Sequence, residues 1–243
     1  MPISTTDLNL LRQYDTPTIC NVIEVFHIRP RHTGYMDARI KACYPELPPM
    51  VGFAVTATFR AAAPPRQGNV YSSLDRHIAA FADVPAWPVV VFQDLDDPPL
   101  AATFGEVMCT SYQRFGAAGL ITSGAARDLD QVRSLQFPCF SNGAICSHGL
   151  AHLVDVGAPV SVGGVTIAPA DLLHGDANGV TTIPVDIASE VAGACAEYAA
   201  AEQVVLDYCK SPEVTVAGYA EARAECARRL AALSEQVRLR KTN

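Results

Sequence analysis

A chain of 243 residues with 49% hydrophobic and 18% charged side chains is long enough to bury one large core, or a core with an appendage. Its formal net charge of -7, with the cationic residues scattered apart from the C-terminal "RRLAALSEQVRLRK", argues against a nucleic-acid binder, which needs basic side chains to neutralise phosphates. There is no apolar run of about 18 residues to cross a membrane, and "MPISTTDLNLLRQYD" lacks the basic leader and apolar core of a signal peptide, so the sequence predicts a cytoplasmic chain.

"DTPTICNVIEVF" reads as a helix start, with Thr16 as its cap and Pro17 at the first helical position, where a missing N–H costs little. Ile19, Val22, Ile23 and Phe26 then share one apolar face. "RIKACYPELPPM" is a Pro-rich connection, "VGFAVTATFR" a β-rich run and "AAAPPRQGNV" a loop. A helix is expected from Ser72, with Asp75 completing a capping arrangement and Leu74, Ile78 and Phe81 inward. "PVVVFQDL" has the continuous β-branched character of a strand covered on both faces.

"GEVMCTSYQRFG" predicts a short helix stopped by Gly116, with Met108, Tyr112 and Phe115 on one face. "AGLITSG" is another buried strand. The next helix is expected to open at Ala126-Arg127-Asp128, with Leu129, Val132 and Leu135 inward, and "FPCFSNG" follows as a strand. This alternation argues for parallel β-α-β units. "PVSVGGVTIAPADLLHGDANGVTTIP" then holds three β-rich runs between glycine-containing turns. From Val185 onward the chain is Ala-rich and helical; Pro212 separates two helices, and Cys226, Leu230, Leu233 and Val237 form a seam on the second.

Two strand-to-helix junctions can carry chemistry, because α/β sheets bind ligands where strands end and helices begin. At Gly105-Glu106-Val107-Met108 the free N–H groups of a helix start can grip a carboxylate or phosphate. At Arg127-Asp128, a cation in the first turn of a helix opposes the dipole, so the guanidinium is better explained as aimed into a cleft, where it forks onto a planar carboxylate. A carboxylate beside it can hold a hard divalent ion largely through water. The pair proposes a site for an anionic, oxygen-rich small molecule.

Other candidates are weaker. His148 and His152 stand four apart, but the metalloprotease glutamate is missing and Gly149 weakens the helix. Ser123 sits in "TSGA", not GxSxG, and "GDANG" is a turn rather than a calcium loop. The eight cysteines form no CxxC and read as small buried hydrophobes, with Cys139 and Cys146 in strand-like context and Cys195, Cys209 and Cys226 in helices. Lys41, Lys210 and Lys241 lie outside any buried strand, which removes Schiff-base chemistry.

The series "GFAVT", "VVVFQD", "GEVM", "GAAGLITSGAARD", "FPCFSNG" and "PVSVGGVTIAPADLLHGDANGVTTIP", in this order and spacing, resembles the RraA-like family, over about residues 15 to 205. The family includes the 4-hydroxy-4-methyl-2-oxoglutarate and 4-carboxy-4-hydroxy-2-oxoadipate aldolases. The resemblance implies an α/β fold, a layered α/β/α domain of the swivelling β/β/α type, with an added C-terminal helical segment. It implies a catalytic domain over residues 1–205, a helical extension over 206–243 packed on the core or a neighbouring subunit, and assembly as a homotrimer or homohexamer.

By the same resemblance, backbone N–H groups of Gly105, Glu106, Val107 and Met108 hold the substrate carboxylate, Arg127 contacts the keto-acid oxygens and Asp128 ligates magnesium or manganese. Glu106 orients metal-bound water, and Glu202 matches a glutamate reaching in from a neighbouring subunit. The implied activity is a metal-dependent lyase that cleaves a 4-hydroxy-2-oxo acid to pyruvate, with oxaloacetate decarboxylation through the same enolate. The alternatives are another enolate-forming enzyme on an oxo acid, and a non-catalytic regulator that binds a protein such as ribonuclease E. Asp128 favours an enzyme, since a regulator has no need of a metal ligand there. Three departures stand out: Ser123-Gly124 where Asp-Gly is usual, "PAD" at 169 to 171 for Pro-Gly-Asp, and a longer tail.

Overall fold

The β-rich runs become a mixed sheet with a parallel centre, seen in a computed structural model that describes residues 3–68 and 73–241. In chain order the elements are α1 (Thr5–Leu11), α2 (Thr16–Val25), β1 (Lys41–Ala42), β2 (Met50–Arg60), α3 (Leu74–Ala79), β3 (Pro88–Asp94), β4 (Ala102–Phe104), α4 (Glu106–Arg114), β5 (Gly119–Thr122), β6 (Ala125–Ala126), α5 (Leu129–Ser134) and β7 (Cys139–Ser141). They continue with β8 (His152–Val156), β9 (Val160–Val162), β10 (Val165–Ile167), β11 (Leu172–Asp176), β12 (Gly179–Ile183), α6 (Ala188–Lys210) and α7 (Val216–Lys241). Two compact units emerge: Met1–Arg31 with Asp186–Asn243, and His32–Val185. Residue 205 therefore falls inside α6, whereas the units divide at 31/32 and 185/186.

In the His32–Val185 unit the sheet runs β1-β7-β5-β3-β2-β11-β12, with β8 also on β2. The β2–β3, β3–β5 and β5–β7 pairs are parallel, as the strand–helix alternation predicts. Strand period then divides the core in two. Val90 and Phe92 join Phe59, Phe104, Met108, Tyr112 and Val132 on one face, while Val89 and Val91 join Ile121, Phe140, Val160, Val162 and Ile167 on the other. Side chains of α4 and α5 cover the first face and the β9–β10 hairpin the second, giving β/β/α layering of the expected type.

The second unit is helical. Ser4 and Asp7 form a capping box at α1, and Asp7 Oδ2 also accepts from Ser189 Oγ of α6 at 2.9 Å. Ser234 Oγ of α7 donates to the Val25 carbonyl at the end of α2, 3.0 Å away. Leu233 and Val237 are buried along the expected seam, with Cys226 and Leu230 half-buried. No helix among the described residues is long and apolar enough to cross a membrane.

Several local expectations are corrected. Asp15, not Thr16, caps α2, because its carboxylate reaches Thr18 N at 2.9 Å; Thr16 is already helical. Ser72 lies outside the described residues, and Ser73 precedes α3 without a side-chain cap. Phe115 and Leu129, expected inward, are 62% and 40% exposed, because each sits at a helix end where the apolar face has rotated off the core. The run from 159 to 184 makes four strands rather than three, since the Gly163-Gly164 turn folds "PVSV" back on "VTI" as a hairpin. Cys146 and Cys209 are exposed, and Cys146 lies in no strand.

Candidate active site

The two junctions of the sequence meet because of a small sheet outside the main one. β4 and β6 pair in parallel, with Phe104 opposite Ala126, and each strand ends directly in a junction. Gly105 follows β4 and caps α4; Arg127-Asp128 follows β6 and precedes α5. Arg127 N donates to the Phe104 carbonyl at 3.1 Å, which continues the ladder into the site.

The helix expected to open at Ala126-Arg127-Asp128 therefore begins later. Ala126 is strand, Asp128 is left-handed (φ 55°, ψ 42°), and α5 starts at Leu129. Arg127 lies outside the helix, so no dipole penalty needs explaining; the β4–β6 pairing sets its direction. Asp tolerates the left-handed region better than most residues. Asp128 makes no side-chain cap on its own helix. Instead its Oδ2 accepts from Glu106 N, 3.0 Å away at the start of α4, and lies 3.9 Å from Arg127 Nε. A carboxylate at a helix N-terminus is a charge-assisted acceptor favoured by the dipole.

Gly105 is required by close approach. A Cβ there would run into Asp128 Oδ2 and stand 3.1 and 3.2 Å from Arg127 Cγ and Nε. Its backbone is extended (φ -158°), so the constraint is space and not conformation. The expectation of a cradle of amides from Gly105 to Met108 is narrowed, since the Glu106 N–H is already engaged. Val107 and Met108 stand at the second and third helical positions, where no intrahelical acceptor exists. The Val107 side chain is 77% exposed, whereas Met108 points into the core and offers only its backbone.

α4 is anchored beneath the site by Tyr112. Its hydroxyl lies 3.0 Å from His77 Nδ1, and His77 Nε2 lies 3.2 Å from the Val55 carbonyl. A carbonyl only accepts, so Nε2 carries the proton and Nδ1 accepts from Tyr112. Burial pushes the His77 pKa down to about 4, against the smaller effect of the Val55 bond. Sequence reasoning passed over His77, which is an unremarkable surface-like residue in "SSLDRHIAAF" until tertiary contacts enclose it.

The site offers hard oxygen donors in small number. Asp128 and the exposed Glu106 are its carboxylates, and no group of three or more His, Cys, Asp or Glu gathers around a point among the described residues. Such a set fits a largely hydrated magnesium or manganese ion held by Asp128, not a closed cage. His148 and His152 each place Nδ1 2.8 Å from a nearby carbonyl, of Gly149 and Leu150. Glu202 belongs to the helical unit, half-buried on α6, where with burial it helps push the Tyr198 hydroxyl up to about 12.

A separate cavity of about 270 Å³ opens at the C-terminal ends of β3 and β5, lined by Arg39, Asp94, Asp96, Asp97, Ser123 and Asn142 among others. Its charge is predominantly acidic, the wrong sign for an oxo acid. Asp94, only 7% exposed, has an Oδ2 with no hydrogen-bond partner, and burial, reinforced by Asp96 and Asp97, pushes its pKa up to about 6.

Comparison with known proteins places these features in context. The family model described as RraA-like, aldolase/RraA, matches residues 16–182. A protein of Halalkalibacterium halodurans, provisionally named a 4-hydroxy-4-methyl-2-oxoglutarate aldolase, is 38% identical over 84 residues, which are 34% of this chain and 40% of that one. The chain thus matches less than half the length of that relative. Among solved structures, an uncharacterized protein from Pseudomonas syringae pv. tomato superposes with a TM-score of 0.72 at 23% identity, covering 92% of this chain and 95% of that one. Streptomyces coelicolor RraAS2, described as an unusual member of the RNase ES inhibitor RraA protein family, gives 0.66 at 24%, covering 84% and 97%. At such identities the two structures speak to the fold alone.

Proposed function

The chain belongs to the RraA-like aldolase/RraA family, and on that footing we propose that the Gly105–Asp128 site is a divalent-metal-dependent lyase that cleaves a 4-hydroxy-2-oxo acid to pyruvate. One observation carries this reading. The Asp128 carboxylate is held at the N-terminus of α4 beside the Arg127 guanidinium, so a carboxylate and a cation stand together at a helix start. Oxaloacetate decarboxylation would run through the same enolate.

In this mechanism the Val107 and Met108 amides, with the dipole of α4, bind the substrate carboxylate. Arg127 forks onto the planar oxo-acid oxygens and offsets the charge that cleavage leaves on them, where a donor aimed at developing charge has its greatest effect. Asp128 would hold magnesium or manganese, which would supply Lewis acidity at the 2-oxo group. The 4-hydroxyl proton passes through water to Glu106 or to Glu202 of a neighbouring subunit. The Glu202 role requires a homotrimer or homohexamer; a protein that is monomeric by light scattering and fully active would remove it. We place the enzyme in the cytoplasm.

The test is a panel of 4-hydroxy-2-oxo acids and oxaloacetate, assayed for pyruvate release with magnesium and with excess chelator. Asp128→Asn keeps an acceptor for the Glu106 amide but loses the charge, so it should fold normally and be inactive. Undiminished activity in Asp128→Asn or in chelator would sink the metal mechanism. Pyruvate release from none of these acids would leave the two alternatives, another enolate-forming enzyme on an oxo acid and a regulator that binds and does not catalyse.

A further inference from the structure

The strands that deliver Gly105 and Arg127 are tied together by two buried hydroxyls that no sequence motif marks. Thr103, in the middle of β4, and Thr122, at the last position of β5, are 1% and 0% exposed. Thr103 Oγ1 shares its one proton between Thr122 Oγ1 at 3.0 Å and the Ala125 carbonyl at 3.1 Å. Thr122 Oγ1 in turn accepts from Gly124 N at 2.9 Å. The network therefore binds the end of the main sheet to both strands of the small sheet, across the turn that leads into Arg127. Burying hydroxyls is unfavourable unless they are bonded, and these bonds satisfy the pair while linking the three strands.

The surrounding space is tight. A Cβ on Gly124 would stand 2.5 Å from both Asp94 Oδ2 and the Thr103 methyl, so the turn has no slack on that side. On its far side, Asn142 N donates to the Gly124 carbonyl at 2.8 Å and Ala126 N to the Gly143 carbonyl at 2.9 Å. β4 and β6 are three and two residues long, too short to hold register by ladder bonds alone. The Thr103 hydroxyl supplies a side-chain bond where a longer strand would supply backbone ones.

We propose that Thr103 and Thr122 are positioning residues: through their shared hydroxyl network they set the separation between Gly105, at the exit of β4, and Arg127-Asp128, at the exit of β6. This rests on the lyase reading of the site. Misplacement by about 1 Å is enough to lower turnover on the order of 100-fold. Thr103→Val keeps the shape and methyl packing but loses the hydroxyl; Thr103→Ser keeps the hydroxyl and loses the methyl.

A positioning role and a packing role rank these variants in opposite order. The experiment measures turnover, KM, affinity for oxalate (an enolate mimic) and melting temperature for both. Thr103→Val should lose turnover on the order of 10- to 100-fold with weaker oxalate binding, while Thr103→Ser stays near wild type even if it melts lower. The proposal is overturned by a valine variant with wild-type turnover, or by a serine variant impaired as much as valine. If Thr103→Val does not accumulate as folded protein, Thr122→Val and Thr122→Ser make the same comparison from the other side of the bond. Amide hydrogen exchange at Ala126 and Arg127, whose N–H groups bond to the Gly143 and Phe104 carbonyls, separates this idea from the lyase reading. Faster exchange in valine and not in serine supports positioning even if the wild type releases no pyruvate, whereas unchanged exchange in both variants refutes it.

Discussion

Gly105→Ala adds one methyl group at the narrowest point of the site. The new carbon would overlap Asp128 Oδ2 and press on Arg127 Cγ and Nε at 3.1 and 3.2 Å. The backbone can accept alanine there, so the strain falls on the neighbouring side chains. The Asp128 side chain is 38% exposed, so it can swing outward without unfolding the sheet. Moving Asp128 breaks its bond to the Glu106 amide, a charge-assisted interaction with a net worth of about 1.5–3 kcal/mol. Part of this returns as water replaces the amide at a half-exposed carboxylate, so a stability loss of about 1–2 kcal/mol is expected. For a chain of this length that lowers the melting temperature by about 2–4 °C per kcal/mol.

Activity should suffer far more than stability, because the alanine methyl occupies the place where the Asp128 carboxylate and the Arg127 guanidinium converge. A fall on the order of 100-fold or more in pyruvate release is expected, read with a coupled lactate dehydrogenase assay at saturating magnesium. Calorimetry on the same samples separates the two effects. An alanine variant with wild-type turnover would show that the approach of Gly105 to Asp128 has no functional meaning, and would refute the site as drawn.

Two further outcomes follow from the same geometry. Arg127→Lys keeps the charge but not the planar fork, so turnover should fall on the order of 100- to 1000-fold while KM changes less, since the Val107 and Met108 amides still hold the carboxylate; near-normal turnover would show Arg127 to be a bystander. His77 is held neutral with a folded pKa of about 4 against 6.5 in the unfolded chain, so the unfolded state binds more protons between these values. Its stabilising contribution, about 3 kcal/mol, is fully present above pH 6.5 and lost as pH falls through about 4. Melting temperature followed from pH 7.5 to 4.5 should fall more steeply in wild type than in His77→Phe; parallel curves would disprove the assignment.

Much of this architecture is legible in the residues because its signals are local. The β-branched run from Pro88 and the apolar spacing of Ile19, Val22 and Ile23 each mark an element without reference to the rest of the chain. The errors lie where two local signals compete, as between Asp15 and Thr16, both competent caps one residue apart. They also lie at helix ends, where periodicity continues past the point at which the core falls away from Phe115 and Leu129.

The site is a different case. Gly105 and Arg127 are each suspicious in sequence, but their meeting depends on β4 and β6, strands of three and two residues that carry no readable period. The rule that ligands bind where strands end and helices begin, and then the family resemblance, joined them without the physical cause. Thr103 and Thr122 show why that cause stays hidden: a threonine in a strand is ordinary until a second hydroxyl stands 3.0 Å away, and the partner lies 19 residues along the chain. The same holds for Arg127. Read along the chain it looks like a cation misplaced at a helix start; in the fold it is the residue after a strand, and its backbone bond to Phe104 carries the direction that its neighbours in sequence do not. Placement that contradicts a local rule therefore drew attention to Arg127 for the wrong local reason, because here tertiary pairing, and not a helix start, sets the residue's direction.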